Sequence, residues 1–111
     1  MSKEVIAAAS FYKQKYFMNP KFSVLPKDIK TEIQALSICS AEKIRGVFVI
    51  GFYDNGDIYI EAQREENDFE YDEINAELVS NNVLTEKEEL IKALKIWFQT
   101  ISWEKSWSTT S

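Results

Sequence analysis

Residues 46–63 read GVFVIGFYDNGDIYIEAQ, two apolar, β-rich runs joined by Asp54-Asn55-Gly56-Asp57. Asn-Gly between apolar runs is the strongest short-range signal for an antiparallel hairpin. With Asn55-Gly56 as a two-residue turn, Tyr53 pairs with Ile58 and Gly51 with Ile60. One face then carries Val47, Val49, Gly51, Tyr53, Ile58, Ile60 and Ala62; the other carries Phe48, Ile50, Phe52, Tyr59, Glu61 and Gln63. The first set stays apolar along both strands and reads as the core face. The second is half apolar, which makes Phe48, Ile50 and Phe52 a candidate dimer face. A three-residue loop with a bulge would shift the register by one and swap the faces of the second strand. Either way a two-stranded ribbon is unstable alone, so helices or a further strand must cover it.

Outward from the hairpin, the flanks read as helix. Over residues 4–17, Val5, Ala8 or Ala9, Tyr12 and Tyr16 share one face at helical spacing. Asn19-Pro20 ends that segment, because a residue before proline is pushed out of the α region. Phe22 and Leu25 are then anchors into the core. Pro26 suits the first turn of a second helix. Its stripe is Ile29, Ile33, Leu36 and Ser40, with Ala35, Ile38 and Cys39 widening it, and Gly46 stops it. After the hairpin, Asn67 or Asp68 can cap a short helix with Tyr71, Ile74 and Leu78 inward, broken at Asn81-Asn82. Thr85-Glu86-Lys87-Glu88 reads as a capping box opening a long helix. Its stripe is Leu90, Leu94, Trp97 and Ile101, flanked by Ile91, Ala93 and Phe98. The expected fold is α+β: two N-terminal helices, one antiparallel hairpin, and a short and a long C-terminal helix. It forms one layer-on-layer domain over residues 1–104, with a polar, frayed tail at 105–111.

The 111 residues fit one domain, and 45% hydrophobic with 14% aromatic content is too apolar for a disordered chain. No apolar run reaches the ~20 residues that span a bilayer. The start MSKEVIAAAS lacks the apolar length of a secretory signal. A single cysteine, Cys39, allows no intrachain disulfide, so the cytoplasm is the expected compartment. Cys39 itself reads as a buried packing residue.

Charge is distributed unevenly. Residues 1–45 hold eight Lys and Arg against four Asp and Glu, whereas residues 46–111 hold five against fourteen. From Asp54 to Glu77 there are ten acids and one base, Arg64. The net charge of -5 argues against general nucleic-acid or anionic-membrane binding. The acids Glu65, Glu66, Asp68, Glu70, Asp72 and Glu73 read as a solvated helix start, as a docking surface for a basic partner, or as a weak divalent-metal or carboxylate site. Tyr12, Tyr16 and Phe17 interleaved with Lys13, Lys15 and Lys21 read as an amphipathic helix. Self-association of this basic end with the acidic segment of a second copy is the alternative.

Absences decide most of the chemistry. The chain has no histidine, which removes Ser–His–Asp and Cys–His catalysis and the usual zinc ligand. Its three glycines form no phosphate-cradling loop. With Gly56 at the sixth position of a calcium loop, Gly51, Tyr53 and Ala62 fall at ligand positions and cannot serve, so DNGD is a turn. No catalytic residue and no cofactor follow from the sequence.

An ordered series of residues resembles a family of small, uncharacterised bacterial cytosolic proteins. It comprises Tyr12-x-x-Lys15-Tyr16-Phe17-x-Asn19-Pro20-x-Phe22, Leu25-Pro26-x-x-Ile29-x-x-Glu32, Gly46, Asp54-x-Gly56-x-Ile58, Asp72-Glu73-Ile74, and Glu86-Lys87-x-Glu89-Leu90-x-x-Ala93-Leu94. The resemblance spans residues 12–100 and implies a stand-alone domain with no activity, cofactor or catalytic residue to carry over. The chain departs from the family pattern at Arg45, where a glycine is usual, and in its Trp- and Ser-rich tail. The sequence therefore supports three readings: a non-enzymatic interaction or regulatory protein using the acidic surface at 54–77, a small-molecule or divalent-metal binder with a carboxylate site, or a homodimer paired through the hairpin.

Overall fold

A computed structural model describes residues 3–64 and 73–110, with side chains as far as residue 100. The elements are β1 (Lys3–Ser10), β2 (Lys15–Met18), a 3-10 turn (Pro20–Phe22), α1 (Lys27–Ile44), β3 (Val47–Tyr53), β4 (Ile58–Gln63), α2 (Glu73–Glu86) and α3 (Glu88–Thr110). The strands form one antiparallel sheet in the order β2-β1-β3-β4. The helices gather on one face, with α1 over β1 and β3 and α2 against β4. The fold is α+β, but the two N-terminal helices of the sequence reading are replaced by a hairpin followed by one helix.

The region expected to be helical over residues 4–17 is therefore β1 and β2. A bulge explains the misreading. Pairing along β1 runs from Val5↔Gly51 to Ala7↔Ile50, so Ile6 is the extra residue. Ile6 and Ala7 are both fully buried, which breaks the alternation that marks a strand. Three alanines favour helix intrinsically. In this fold they lie in a central strand, where small side chains let α1 approach and the ladders on both sides override propensity.

The hairpin β3–β4 forms, in the register of the longer loop. Tyr53 N–H donates to Asp57 O at 2.8 Å and Gly56 N–H to Tyr53 O at 3.0 Å, with Gly56 at φ 91°. Asp54-Asn55-Gly56 is thus a three-residue loop, and the pairs are Phe52↔Ile58, Ile50↔Ile60 and Phe48↔Ala62. Those six residues make one apolar face, and it is the core face. Phe48, Ile50 and Phe52, expected as a dimer face, are buried beneath the chain's own helices and offer no surface for pairing.

Helix α1 follows the expected stripe at Ile33, Leu36 and Ser40 and also buries Ser37, Ala41 and Ile44, whereas Ala35 and Ile38, expected to widen the stripe, are exposed. Cys39, expected inside, is exposed. Phe22 and Leu25 are buried as anchors. The helix ends at Ile44, and its cap is Arg45 where Gly46 was expected. Arg45 adopts the left-handed conformation (φ 53°, ψ 49°), its N–H donates to Ala41 O, and Gly46 N–H donates to the same carbonyl at 3.3 Å. A side chain pays for that conformation and glycine does not, so Arg45→Gly should raise stability by about 1 kcal/mol. Loss of the Arg45 guanidinium from the Phe11 ring, 5.7 Å away, offsets part of the gain. A rise in urea midpoint at constant slope checks this, and an unchanged or lower midpoint refutes it.

The capping box does not act as one, because Thr85 lies inside α2. Lys87 N–H donates to Val83 O at 2.9 Å and Ile91 N–H to Lys87 O at 3.0 Å. Helical bonding therefore runs through the single turn residue separating α2 from α3. Asn81-Asn82 does not break α2, since both are exposed and cost only intrinsic propensity, roughly 0.7 kcal/mol each. Burial of Ala76 and Val83 holds the helix across them. Ile74 and Leu78, expected inward, are exposed, and Tyr71 lies outside the described residues. On α3, Leu90, Ile91 and Leu94 are buried and Trp97 and Phe98 pack on the core. The backbone of α3 stays helical through residues 105–110.

Candidate functional site

Because all the described helices pack on one side of the sheet, strand alternation sends the other half of its side chains to the opposite face. The ladder order fixes their map. One row across the sheet is Phe17, Ala8, Val49 and Glu61; beside it lie Val5, Gly51 and Tyr59, then Lys3 and Tyr53. None of these residues belongs to the helix-covered core cluster. The centre of this face is floored by small residues, of which Val49 and Gly51 are buried and Val5 and Ala8 half-buried. Phe17 stands at one edge, 51% exposed, and an aromatic–charged cluster stands at the other.

That cluster is built across three strands. Lys3 Nζ lies 2.8 Å from Glu61 Oε1, and Gln63 Nε2 donates to Glu61 Oε2 at 3.0 Å. The same ammonium sits 5.1 Å from the Tyr59 ring centroid and 5.8 Å from that of Tyr53. The two rings are 5.3 Å apart and tilted by 50°. Tyr59 lies across Gly51, whose missing Cβ leaves room for it, and keeps only 6% of its surface exposed. The hydrogen bond from Lys3 holds the Glu61 carboxyl below the usual carboxylate range, and the same bond holds the Lys3 ammonium above the usual lysine range. Burial pushes the Tyr59 phenol up. Each group is moved away from neutrality, the opposite of what proton transfer at neutral pH requires.

The acidic residues singled out from sequence fare differently. Glu65, Glu66, Asp68, Glu70 and Asp72 lie outside the described residues, in the connection from β4 to α2. Glu73 opens α2 and pairs with Arg64 at 2.5 Å. Asp57 lies 3.9 Å from Lys95, and Glu61 is held by Lys3, so part of the acidic segment is neutralised within the chain. Among the described residues no group of three or more His, Cys, Asp or Glu is placed to hold a metal ion. A recess of about 670 Å³ between α1 and α2 is lined by Leu36, Cys39, Leu78 and Val83, with Glu32 and Lys43. Among the described residues no helix is long and apolar enough to cross a membrane.

The sequence reading missed Lys3, Val5 and Ala8 as surface residues, because each reaches the open face only through the long-range pairing of β1 with β3. Tyr59 and Glu61 carried a signal, since both fell on the half-apolar strand face.

Comparison with curated proteins and with solved structures gives no match. A family model described as a family of unknown function matches residues 3–106, nearly the whole chain, from the start of β1 to within α3. The chain therefore belongs to that family, DUF6145.

Proposed function

We propose that this protein is a small, non-enzymatic interaction protein of the bacterial cytoplasm. Its partner is a protein bearing an apolar patch flanked by Lys and Arg. The observation that carries this reading is the sheet face that the described helices leave uncovered, with Phe17 exposed at its edge beside half-buried Val5 and Ala8. Strand spacing and rise give that face an area of roughly 400 Å². A stable interface needs about 800 Å² of accessible surface per partner, and with Val49 and Tyr59 already buried the sheet face supplies less than half of one. Face-to-face pairing of two copies therefore falls at the level of lattice contacts. The charge of segment 54–77, ten acids against one base, supports a basic character for the rest of the partner's surface. Such charge adds association rate and specificity more than affinity. The mutually paired Lys3 and Glu61, the absence of histidine and the lack of a poised titrating group among the described residues favour binding over catalysis. A lone cysteine suits a reducing compartment.

The test is capture with the tagged full chain from its native cell, followed by affinity measurement on the purified partner. Binding should weaken with added salt and with Glu65, Glu66, Glu70 and Glu73 changed to Gln. Phe17→Ser should lower affinity about five- to tenfold. A partner indifferent to salt and to Phe17→Ser would refute the reading, as would turnover of a small molecule by the purified chain.

A further inference from the structure

The Asn55-Gly56 step at the tip of the β3–β4 hairpin joins the least hindered backbone nitrogen available to a side-chain amide one residue before it. That pairing has its own covalent chemistry. The Gly56 backbone nitrogen, on losing its proton, attacks Asn55 Cγ; ammonia leaves, and a five-membered succinimide closes. Water then opens the ring at either carbonyl, giving aspartate or isoaspartate at position 55. No reagent other than water is needed.

The folded loop sets itself against every stage of that attack. Gly56 N–H is engaged to Tyr53 O at 3.0 Å. The Asn55 side chain is held at both ends, its Oδ1 accepting from Asp57 N–H at 3.0 Å and its Nδ2 donating to Asp57 Oδ2 at 3.1 Å. Gly56 is pinned in turn from α3, because a Cβ there would stand 2.6 Å from the Phe98 ring. Asn55 is nevertheless exposed to water. We propose that Asn55 is a spontaneous modification site, guarded by closure of the hairpin tip and released when the tip detaches from α3.

The product would matter to the fold. Isoaspartate puts an extra methylene into the backbone of a loop whose length sets the register of β3 on β4. Either product adds a carboxylate between Asp54 and Asp57.

The experiment incubates the native full chain and the same chain in concentrated urea side by side at mildly alkaline pH. Peptide mass spectrometry follows conversion of Asn55, with Asn75, Asn81 and Asn82 as internal references. In urea Asn55 should convert first, and in the native chain it should convert at least about tenfold more slowly, as local closure protects it. Phe98→Ala, which removes the ring against Gly56, should bring the native rate toward the urea rate. Asp57→Ala, at an exposed position that leaves the core untouched, should raise the native rate part of the way, because it removes the Oδ2 acceptor of Asn55 Nδ2 and the Lys95 contact to α3 while the Asp57 N–H still donates to Asn55 Oδ1. Equal rates in native and unfolded chains would overturn the proposal. So would another asparagine leading in urea, or a native rate unmoved by Asp57→Ala.

Discussion

Phe52→Ala is expected to remove about 3–5 kcal/mol of stability, the range for deleting a buried phenylalanine from a core. The ring stands where the sheet, the 3-10 turn and α3 meet. Its centroid lies 4.8 Å from Phe98, 5.6 Å from Phe22 and 6.3 Å from Trp97, with the Trp97 ring nearly parallel at 17°. Truncation leaves a cavity bordered by three aromatic rings on two separate elements, which cannot all collapse into it. Against a typical stability of about 5–15 kcal/mol, the loss brings the variant close to unfolding at ordinary temperatures. Urea denaturation measures it. Phe17→Ala is the matched control, because an exposed ring on the opposite face should cost less than about 0.5 kcal/mol. Comparable losses for the two would show that Phe52 does not tie α3 to the sheet.

Gly51→Ala, one residue away and on the other face, should cost about 3 kcal/mol through overpacking. A Cβ at this position would stand 2.5 Å from Glu4 O and 2.6 Å from the Tyr59 ring. The ring can rotate aside, but the carbonyl belongs to the β1 ladder and cannot. Adding Tyr59→Ala to Gly51→Ala should therefore recover only part of the loss. Replacing glycine by alanine in an unhindered strand stabilises by about 0.4–1 kcal/mol through the unfolded chain. The sign of the effect thus decides the matter, and a Gly51→Ala protein as stable as the parent would mean that β1 does not press on β3 as described.

These two neighbours also show what was legible beforehand. The hairpin itself was evident from its residues, as were the α1 stripe and the burial of Leu90 and Leu94. Which hairpin face would be buried was not, because it turned on one residue of loop length. The loop DNG and the turn NG differ in the sequence by nothing except the register they impose. Strand β1 was hidden for another reason, since a bulge at Ile6 and a run of alanines together imitate a helix. The open face was half visible in Tyr59 and Glu61. Its other half, Lys3 with Val5 and Ala8, depends on contacts spanning some 50 residues of chain, which no local pattern encodes. Cys39 and Leu78 fell on stripes of the right spacing yet are exposed, because both line the recess between α1 and α2 instead of the sheet-facing core.

The central position of β1 has a consequence for how the chain assembles. Each hairpin closes locally, within microseconds for such units. Joining them requires β1 to find β3 across the whole of β2 and α1, a closure that must be completed before its contacts repay it. Until then the inner edge of β3 stands unpaired beside four consecutive apolar residues, Val47 to Ile50. The period before the first ten residues dock is therefore the interval in which this protein is most exposed to edge-to-edge aggregation.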